Sequence, residues 1–177
     1  MSVHTQLINQ SHPLSPNYRP ISLIDAGIPF DALPSDPKRL LEPQTAYAAQ
    51  ALFSYAHSCQ IHLYGISGYR SYQRQKELYD GRPAVAPPGA SEHQSGLALD
   101  VSCPRLGLAL DEAFADTPEG KWLQTHAPLY GFIIRYPKEK QTITGYPWEP
   151  WHIRYVTKPL SVYLKWSGLT LEEFYSL

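Results

Sequence analysis

The spacing of apolar and polar positions changes several times along the chain, and each change marks a predicted element. The clearest helical spacing lies between Pro43 and Cys59, where Ala48, Leu52, Tyr55 and Cys59 recur in a segment rich in alanine. This periodicity and composition predict an amphipathic helix that carries those four residues on one face.

Strand-like patterns follow the predicted helix. The stretches that alternate or run apolar over strand length are residues 61–66, 96–102, 132–136 and 153–156. In the second of them, Leu97 and Leu99 would face one side of a sheet, and Ala98 and Asp100 the other. A carboxylate within such a strand is costly to bury unless something pairs with it, and a metal ion would do so.

Shorter helices are predicted from their caps. Ser71 can cap a helix that follows it, Thr117 precedes a proline in the first-turn position, and Thr170 forms a capping box with Glu173. The helices predicted from these caps cover residues 72–79, residues 118–131 with Gly131 as the end, and the last residues of the chain. A further short helix is predicted at residues 159–166. The prolines of residues 81–89 predict a loop, and residues 138–146 read as a polar connector with a hairpin-like turn near Gly145.

Helices and strands are mixed here without a regular βαβ alternation, and short connectors join the strands. The pattern therefore predicts an α+β fold with a small antiparallel sheet. A length of 177 residues suits a single domain over 1–177. The proline-rich residues 1–40 are predicted to form an extended arm with turns, packed on that domain.

Composition narrows the class of protein further. Hydrophobic residues make up 43% and charged residues 18%, which is typical of a globular protein. A formal net charge of −1 gives no reason to expect a nucleic acid or an anionic membrane as a partner. The oligomeric state is left open, with a monomer as the favoured expectation. Cys59 and Cys103 are predicted to be reduced and buried, with a single disulfide as the open alternative.

The lengths of the apolar runs and the first residues of the sequence bear on the cellular location of the protein. No apolar run approaches the roughly 20 residues of a membrane-spanning helix, and the first residues lack the pattern of a signal peptide. The expectation is a cytoplasmic protein, or one of the cell envelope if an N-terminal segment has been removed.

The residues that can carry chemistry are concentrated in two stretches. One contains His93 and Asp100, and the other contains Glu149 and His152. Two imidazoles and two carboxylates match a hydrolytic zinc site, which needs three protein ligands, an open position for water and a carboxylate base. On this interpretation His93, Asp100 and His152 hold one Zn²⁺ per chain, and Glu149 takes the proton. The spacing of His93 and Asp100 is too loose to identify a metal site by itself, so a surface histidine and a salt-bridged aspartate remain the alternative.

Pro150 constrains the second stretch. It excludes a helix interior, and in a regular strand Glu149 and His152 would point to opposite faces. For both to serve one metal, the chain must twist or bulge between them. Glu149 would then lie beside the water that attacks the substrate rather than on the metal.

The motifs resemble those of the VanY-type D-alanyl-D-alanine carboxypeptidases, zinc peptidases that act on bacterial cell-wall peptides. The family pattern S-x-H-x-x-G-x-A-x-D is complete from Ser91 to Asp100, E-P-W-H stands at residues 149–152, and S-G-Y-R-S at residues 67–71. Further similarity lies in residues 7–14, 130–137 and 154–156 and covers nearly the whole chain. The resemblance implies a small antiparallel sheet backed by helices, with zinc in a cleft on the sheet.

The resemblance also implies roles for residues around the metal. It assigns Arg70 to the oxyanion of the tetrahedral species; binding of the substrate's terminal carboxylate is the alternative. Ser91 and Gln75 match positions that bind the peptide and its carboxylate, and Ser67 belongs to the segment that frames the pocket beside Arg70. Capping and surface roles are the alternative for Ser91 and Gln75.

The implied activity is removal of the C-terminal D-alanine from peptidoglycan stem peptides or precursors that end in D-Ala. Alternatives of the same build are an L,D-carboxypeptidase acting on tetrapeptides and a D,D-dipeptidase acting on free D-Ala-D-Ala. A non-catalytic, zinc-containing peptidoglycan-binding module is disfavoured because Glu149 and Arg70 are both present. A dipeptidase needs a carboxylate for the substrate's ammonium, and only Asp80 and Glu92 lie nearby in sequence, so we expect longer peptides to be preferred.

Overall fold

A four-stranded antiparallel sheet organises the computed structural model, which describes residues 2–177. Its strands, in spatial order, are β3 (Tyr64–Ser67), β4 (Ala98–Ser102), β6 (Glu149–Tyr155) and β5 (Phe132–Tyr136). The strands β1 (Ile24–Asp25) and β2 (Leu40–Leu41) form a separate antiparallel pair. All pairings between neighbouring strands are antiparallel, which confirms the predicted α+β class.

Helices cover both faces of the sheet. They are α1 (Pro43–Ser58), α2 (Tyr72–Leu78), α3 (Pro118–His126), α4 (Gln141–Thr144), α5 (Lys158–Ser167) and α6 (Leu171–Tyr175). Short 3-10 turns occupy Val3–Thr5, Pro37–Arg39, Glu92–Ser95, Pro104–Leu106, Glu112–Asp116 and Ala127–Tyr130. One core cluster joins α1 and α3 to Leu99 and Ile153 of the central strands. A second, smaller cluster joins α5 and α6 to Ile133 on the opposite face of β5.

Alternation along the strands separates an apolar face from a polar one. Leu99 and Val101 of β4 and Ile153 of β6 belong to the larger core cluster. The residues between them, Asp100 on β4 and His152 on β6, point to the other side. The sheet therefore buries hydrocarbon against α1 and α3 and presents ionisable groups on its opposite face.

Residues 2–40 are attached to the rest of the protein by a few buried side chains. Ile8 and Leu14 are buried, as are Ala26 and Ile28 next to β1. Met1 lies outside the described residues. Within residues 2–177, no helix combines the length and the apolar character that crossing a bilayer demands.

Several predicted boundaries agree with the structure. The caps at Ser71, Thr117 and Thr170 are in place, and the Thr170–Glu173 capping box is formed in both directions. The strand at residues 132–136 matches β5, and the helix predicted at residues 159–166 lies within α5.

Other predictions were wrong in detail. The buried face of α1 carries Ala49, Leu52 and Phe53, whereas Tyr55 and Cys59 are exposed, so the apolar stripe is rotated from the predicted one. Both cysteines are free, and only Cys103 is buried. A short helix, α4, replaces the predicted polar connector.

The remaining differences are shifts of boundaries. The strand β3 begins three residues later than residue 61, and β6 already starts at Glu149 rather than at residue 153. The helix α3 ends at His126, and Gly131 instead closes the 3-10 turn that follows, in a left-handed conformation with φ of 92°. The earlier start of β6 extends this strand across the motif that contains Pro150.

Truncation of the buried face of α1 tests its observed orientation. Leu52 is fully buried in the larger core cluster, and its replacement by alanine should lower the free energy of unfolding by about 2–5 kcal/mol, since it leaves a cavity. Tyr47→Ala, on the exposed face of the same helix, is the matched control and should change it by no more than about 0.5 kcal/mol. Urea unfolding followed by circular dichroism measures both; equal losses would contradict this orientation.

Candidate metal centre and active site

The pairing of the two central strands brings the first two candidate ligands together. Asp100 on β4 lies directly opposite His152 on β6, and both side chains occupy the polar face of the sheet. His93 arrives from the 3-10 turn Glu92–Ser95, which folds back over the start of β4. Gly96 ends that turn with φ of 71°, and a Cβ there would meet Leu23 Cδ2 at 2.9 Å, so the turn requires glycine.

The donor atoms of these residues converge. His93 Nε2 lies 3.2 Å from Asp100 Oδ2, and His152 Nδ1 lies 2.9 Å from Asp100 Oδ1. All three donor atoms fall within 4.8 Å of one another, and all three residues are buried. Tetrahedral zinc with bonds of about 2.0–2.1 Å places its ligand atoms roughly 3.4 Å apart, so this donor set fits Zn²⁺ with little movement.

Each imidazole is held by its other nitrogen. His93 Nδ1 donates to the carbonyl oxygen of Gly68 at 2.7 Å, which leaves Nε2 facing Asp100. His152 Nε2 lies 3.3 Å from the carboxylate of Glu92, which leaves Nδ1 facing Asp100. Such outer partners fix the tautomer and the ring orientation of histidines that bind metals.

Electrostatics in this cluster depend on the carboxylates. Burial would lower the pKa of His152, but its hydrogen bonds to Asp100 and Glu92 outweigh burial and raise the pKa to about 10. Burial likewise would raise the pKa of Asp100, yet His93 and His152 hold it well below its usual range. Asp100 is therefore ionised, as a carboxylate that binds zinc must be.

Glu149 stands beside the donors because β6 is irregular. Tyr136 pairs with Glu149 and Ile134 with Ile153, so two steps along β5 match four along β6. This bulge places Glu149 Oε2 3.9 Å from His152 Nδ1, which is the kind of irregularity that service to one metal would require. Burial is the main cause that raises the pKa of Glu149, to about 7, with a further contribution from Asp100.

Arg70 is oriented by two of the residues predicted to bind substrate. It lies between β3 and α2; its Nη1 donates to Gln75 Oε1 at 2.9 Å and its Nη2 to Ser67 Oγ at 3.0 Å. Gln75 Nε2 in turn donates to the carbonyl oxygen of Ala86 at 2.7 Å. Ser67 and Gln75 thus hold the guanidinium, and direct contact of either with a peptide stays a prediction.

A cleft of about 370 Å³ opens over these groups. Arg70, His93, Asp100, Glu149 and His152 all line it, so the structure brings the predicted ligand, base and oxyanion residues to one place. Ser91 lines it too, and its side chain does not cap the turn that follows, which leaves the hydroxyl for a ligand. Apolar walls complete the cleft: Leu78, Ala84, Val85, Ala86, Leu110 and Trp151.

Sequence reasoning missed a buried ion cluster behind the ligands. Glu92 is fully buried and accepts hydrogen bonds from Arg135 on β5 and Arg154 on β6. Arg135 also pairs with Glu172 at the start of α6. The available signal was the presence of an arginine within each of two apolar strands, since a buried guanidinium requires an acceptor.

Comparison with known proteins identifies the family of this chain. The profile of the family described as "VanY: D-alanyl-D-alanine carboxypeptidase" matches residues 38–158. The chain belongs to the VanY D-alanyl-D-alanine carboxypeptidase family. YodJ of Bacillus subtilis (strain 168), a protein provisionally named a carboxypeptidase, is 42% identical over 179 residues, which are 96% of this chain and 66% of YodJ. The bifunctional D-Ala-D-Ala dipeptidase and carboxypeptidase VanXYC of Enterococcus gallinarum is 36% identical over 96% of this chain and 92% of its own.

Solved structures of family members extend the likeness to three dimensions. The LdcB LD-carboxypeptidase matches with a TM-score of 0.93 and 42% identity, over 96% of this chain and 84% of LdcB. A mutant of the D,D-pentapeptidase VanY from the VanB-type resistance cassette, solved in complex with Zn(II), matches with a TM-score of 0.79 and 28% identity. The match covers 98% of this chain and 99% of the VanY chain. The chain is therefore a zinc metallopeptidase domain of the carboxypeptidase type.

Zinc titration tests the donor set. Metal-free protein should bind one equivalent of Zn²⁺, and His152→Ala should weaken binding by more than the roughly 10–100-fold that is usual for loss of an outer partner. Competition with a chromogenic chelator measures the affinity. His62→Ala, which removes an exposed imidazole elsewhere, should bind as the wild type does; equal affinity of the His152 variant would contradict the assignment.

Proposed function

We propose that this protein removes the C-terminal D-alanine from peptidoglycan stem peptides or their precursors, with D-Ala-D-Ala termini as the preferred substrate. The single observation that carries the proposal is the convergence, on one cleft, of the His93–Asp100–His152 donor set with Glu149 and Arg70. When bound, Zn²⁺ would lower the pKa of a coordinated water towards about 7 and polarise the scissile carbonyl.

Glu149 would move the proton. Its carboxylate lies close to the donor atoms without belonging to the donor set, which suits acceptance of a proton from the attacking water. The same carboxyl group can then deliver that proton to the departing amine of D-alanine. A pKa raised to about 7 by burial allows Glu149 both to take and to give a proton near neutral pH.

Arg70 would stabilise the developing oxyanion. Its guanidinium is held from behind by Ser67 and Gln75, so little ordering remains to be done when charge appears. Binding of the substrate's terminal carboxylate uses the same forked donors and is the alternative role. The hydroxyl of Ser91, which lines the cleft, would contact the peptide.

The nearby carboxylates already have partners, which argues against a dipeptidase. A free dipeptide carries its ammonium beside the scissile bond and needs an acidic partner there. Asp80 is paired with Arg82 at 2.6 Å, and both oxygens of Glu92 are occupied by arginines and His152. A longer peptide has an amide at this point and requires no such partner.

An L,D-carboxypeptidase is the second candidate. It is favoured by the LdcB match, whose identity and TM-score are higher than those of the VanY structure. The penultimate residue of its tetrapeptide substrate is a diamino acid, whereas a D-Ala-D-Ala terminus presents only a methyl group. The apolar side chains of Val85, Leu110 and Trp151 along the cleft suit a methyl group. The carboxylates that line the described cleft, Glu92, Asp100 and Glu149, are already engaged in the site.

Removal of the base separates chemistry from metal binding. Glu149→Gln should bind Zn²⁺ as tightly as the wild type but lose about 10²–10⁴-fold in kcat, since only the proton acceptor is removed. Release of D-alanine from a pentapeptide substrate measures turnover. Glu139→Gln neutralises an exposed carboxylate on the connection to β6 and is the matched control, with unchanged kcat.

The outcomes of that experiment also bear on the other roles. Near-normal turnover of Glu149→Gln would remove Glu149 from the mechanism. Wild-type protein that binds zinc but releases no D-alanine from any peptide would indicate the binding module instead. In the same assay, Arg70→Ala should lower mainly kcat; a change confined to KM would place Arg70 on the substrate carboxylate.

A substrate panel tests the specificity. With pentapeptide, tetrapeptide and free D-Ala-D-Ala at neutral pH, kcat/KM should be highest for the pentapeptide, because neither other substrate finds a free acid in the cleft for its ammonium. Quantified D-alanine is the readout. A preference for the tetrapeptide would establish the L,D activity, and a preference for the dipeptide would show that the pairing of Asp80 or Glu92 opens on binding.

A further inference from the structure

Glu92 is fully buried, and both oxygens of its carboxylate already have hydrogen-bonding partners. Its Oε1 accepts from Arg135 Nε at 2.7 Å and from Arg154 Nη1 at 2.6 Å. Its Oε2 faces His152 Nε2 at 3.3 Å. Two guanidinium groups therefore hold in place the carboxylate that contacts the ring of His152.

The direction of these bonds determines the state of His152. Arginine can only donate, so both guanidinium groups keep the carboxylate of Glu92 as an acceptor. The nitrogen that faces this acceptor must carry a proton, which reserves Nε2 of His152 for Glu92. Nδ1 is left on the side of Asp100, where the proposed metal would take the place of a proton on that nitrogen.

Each arginine has a second attachment towards one end of the chain. Arg135 donates to both oxygens of Glu172, at 2.9 and 2.5 Å, in the first turn of α6. Glu172 also accepts from Asn9 Nδ2 at 3.0 Å.

Arg154 makes the corresponding link to the N-terminal segment. Its Nη2 donates to the carbonyl oxygens of Gln6 at 2.8 Å and His4 at 3.2 Å. The two arginines and two glutamates balance in charge, which is the condition under which such a cluster can be buried.

We propose that Glu92 is a positioning residue for the metal site, and that Arg135 and Arg154 couple α6 and the N-terminal segment to the orientation of His152. The inference rests on the proposed metal site. Residues distant from the cleft would then set the affinity for the metal, although none of them touches metal or substrate.

The first test is Glu92→Gln, measured by zinc affinity rather than by turnover. The amide removes the charge that both arginines hold, and its own NH₂ group competes for the position facing His152. Zinc affinity should fall by about 10–100-fold. In ¹⁵N-labelled, zinc-loaded protein, the long-range ¹H–¹⁵N spectrum of the His152 ring should lose the single protonated-Nε2 form of the wild type.

The second test is Glu172→Gln, which leaves Glu92 in place and can be read if the first variant does not fold. It removes one of the two carboxylate partners of Arg135, and zinc affinity should fall several-fold. Glu173→Gln is the control on the neighbouring residue, where the amide oxygen can still cap Thr170. Leu52→Ala is the control for loss of stability, because it weakens the core without touching the cluster. Both controls should bind zinc as the wild type does.

The outcomes separate this inference from the metal site itself. If wild-type protein binds no zinc, the proposed metal site fails. If the wild type binds zinc and folded Glu92→Gln binds within twofold of it with an unchanged ring spectrum, the positioning role is wrong. Unchanged affinity of Glu172→Gln, or an equal loss in Leu52→Ala, would remove the coupling to α6.

Discussion

The burial of one ionised carboxylate, that of Glu92, is the constraint on which the rest of the site depends. Burial alone would raise its pKa, but Arg154 and Arg135, with His152, hold that pKa well below its usual range. The donors come from β6 and β5, and the acceptor comes from the turn before β4. The strands must therefore be paired in their final order before the charge of Glu92 is compensated.

The pKa values of two neighbouring carboxyl groups in the cleft are shifted in opposite directions, which suits them to different roles. Asp100, between two imidazoles, has a pKa held below its usual range, whereas burial raises the pKa of Glu149 to about 7. A permanently anionic group suits metal ligation, and a group that exchanges its proton near neutrality suits acid–base work. The bulge in β6 contributes to this difference, because it leaves Glu149 Oε2 3.9 Å from His152 Nδ1, whereas Asp100 lies within hydrogen-bond distance of both imidazoles.

Local signals in the sequence were sufficient for the elements with caps and for the residues of the three motifs. The caps at Ser71, Thr117 and Thr170 predict the starts of three helices. A carboxylate within an apolar strand indicates that Asp100 needs a partner. The orientation of α1 was not readable, because an alanine-rich helix presents several faces of similar polarity and tertiary packing chooses among them. The partners of Arg135 and Arg154 were not readable either, since they lie tens of residues away and only the sheet pairing brings them together.

The same alternation explains why a domain of this size needs its N-terminal segment and its last helix. One face of the sheet is hydrocarbon and packs against α1 and α3. The other carries Asp100, His152, Arg154 and Arg135 at alternate positions, and a purely apolar covering of these four residues would leave their polar atoms unpaired. Backbone carbonyls of the N-terminal segment and the carboxylate of Glu172 supply acceptors where the cleft does not. The metal site and the two ends of the chain thus belong to one polar layer, in which the front faces substrate and the back is completed by the termini.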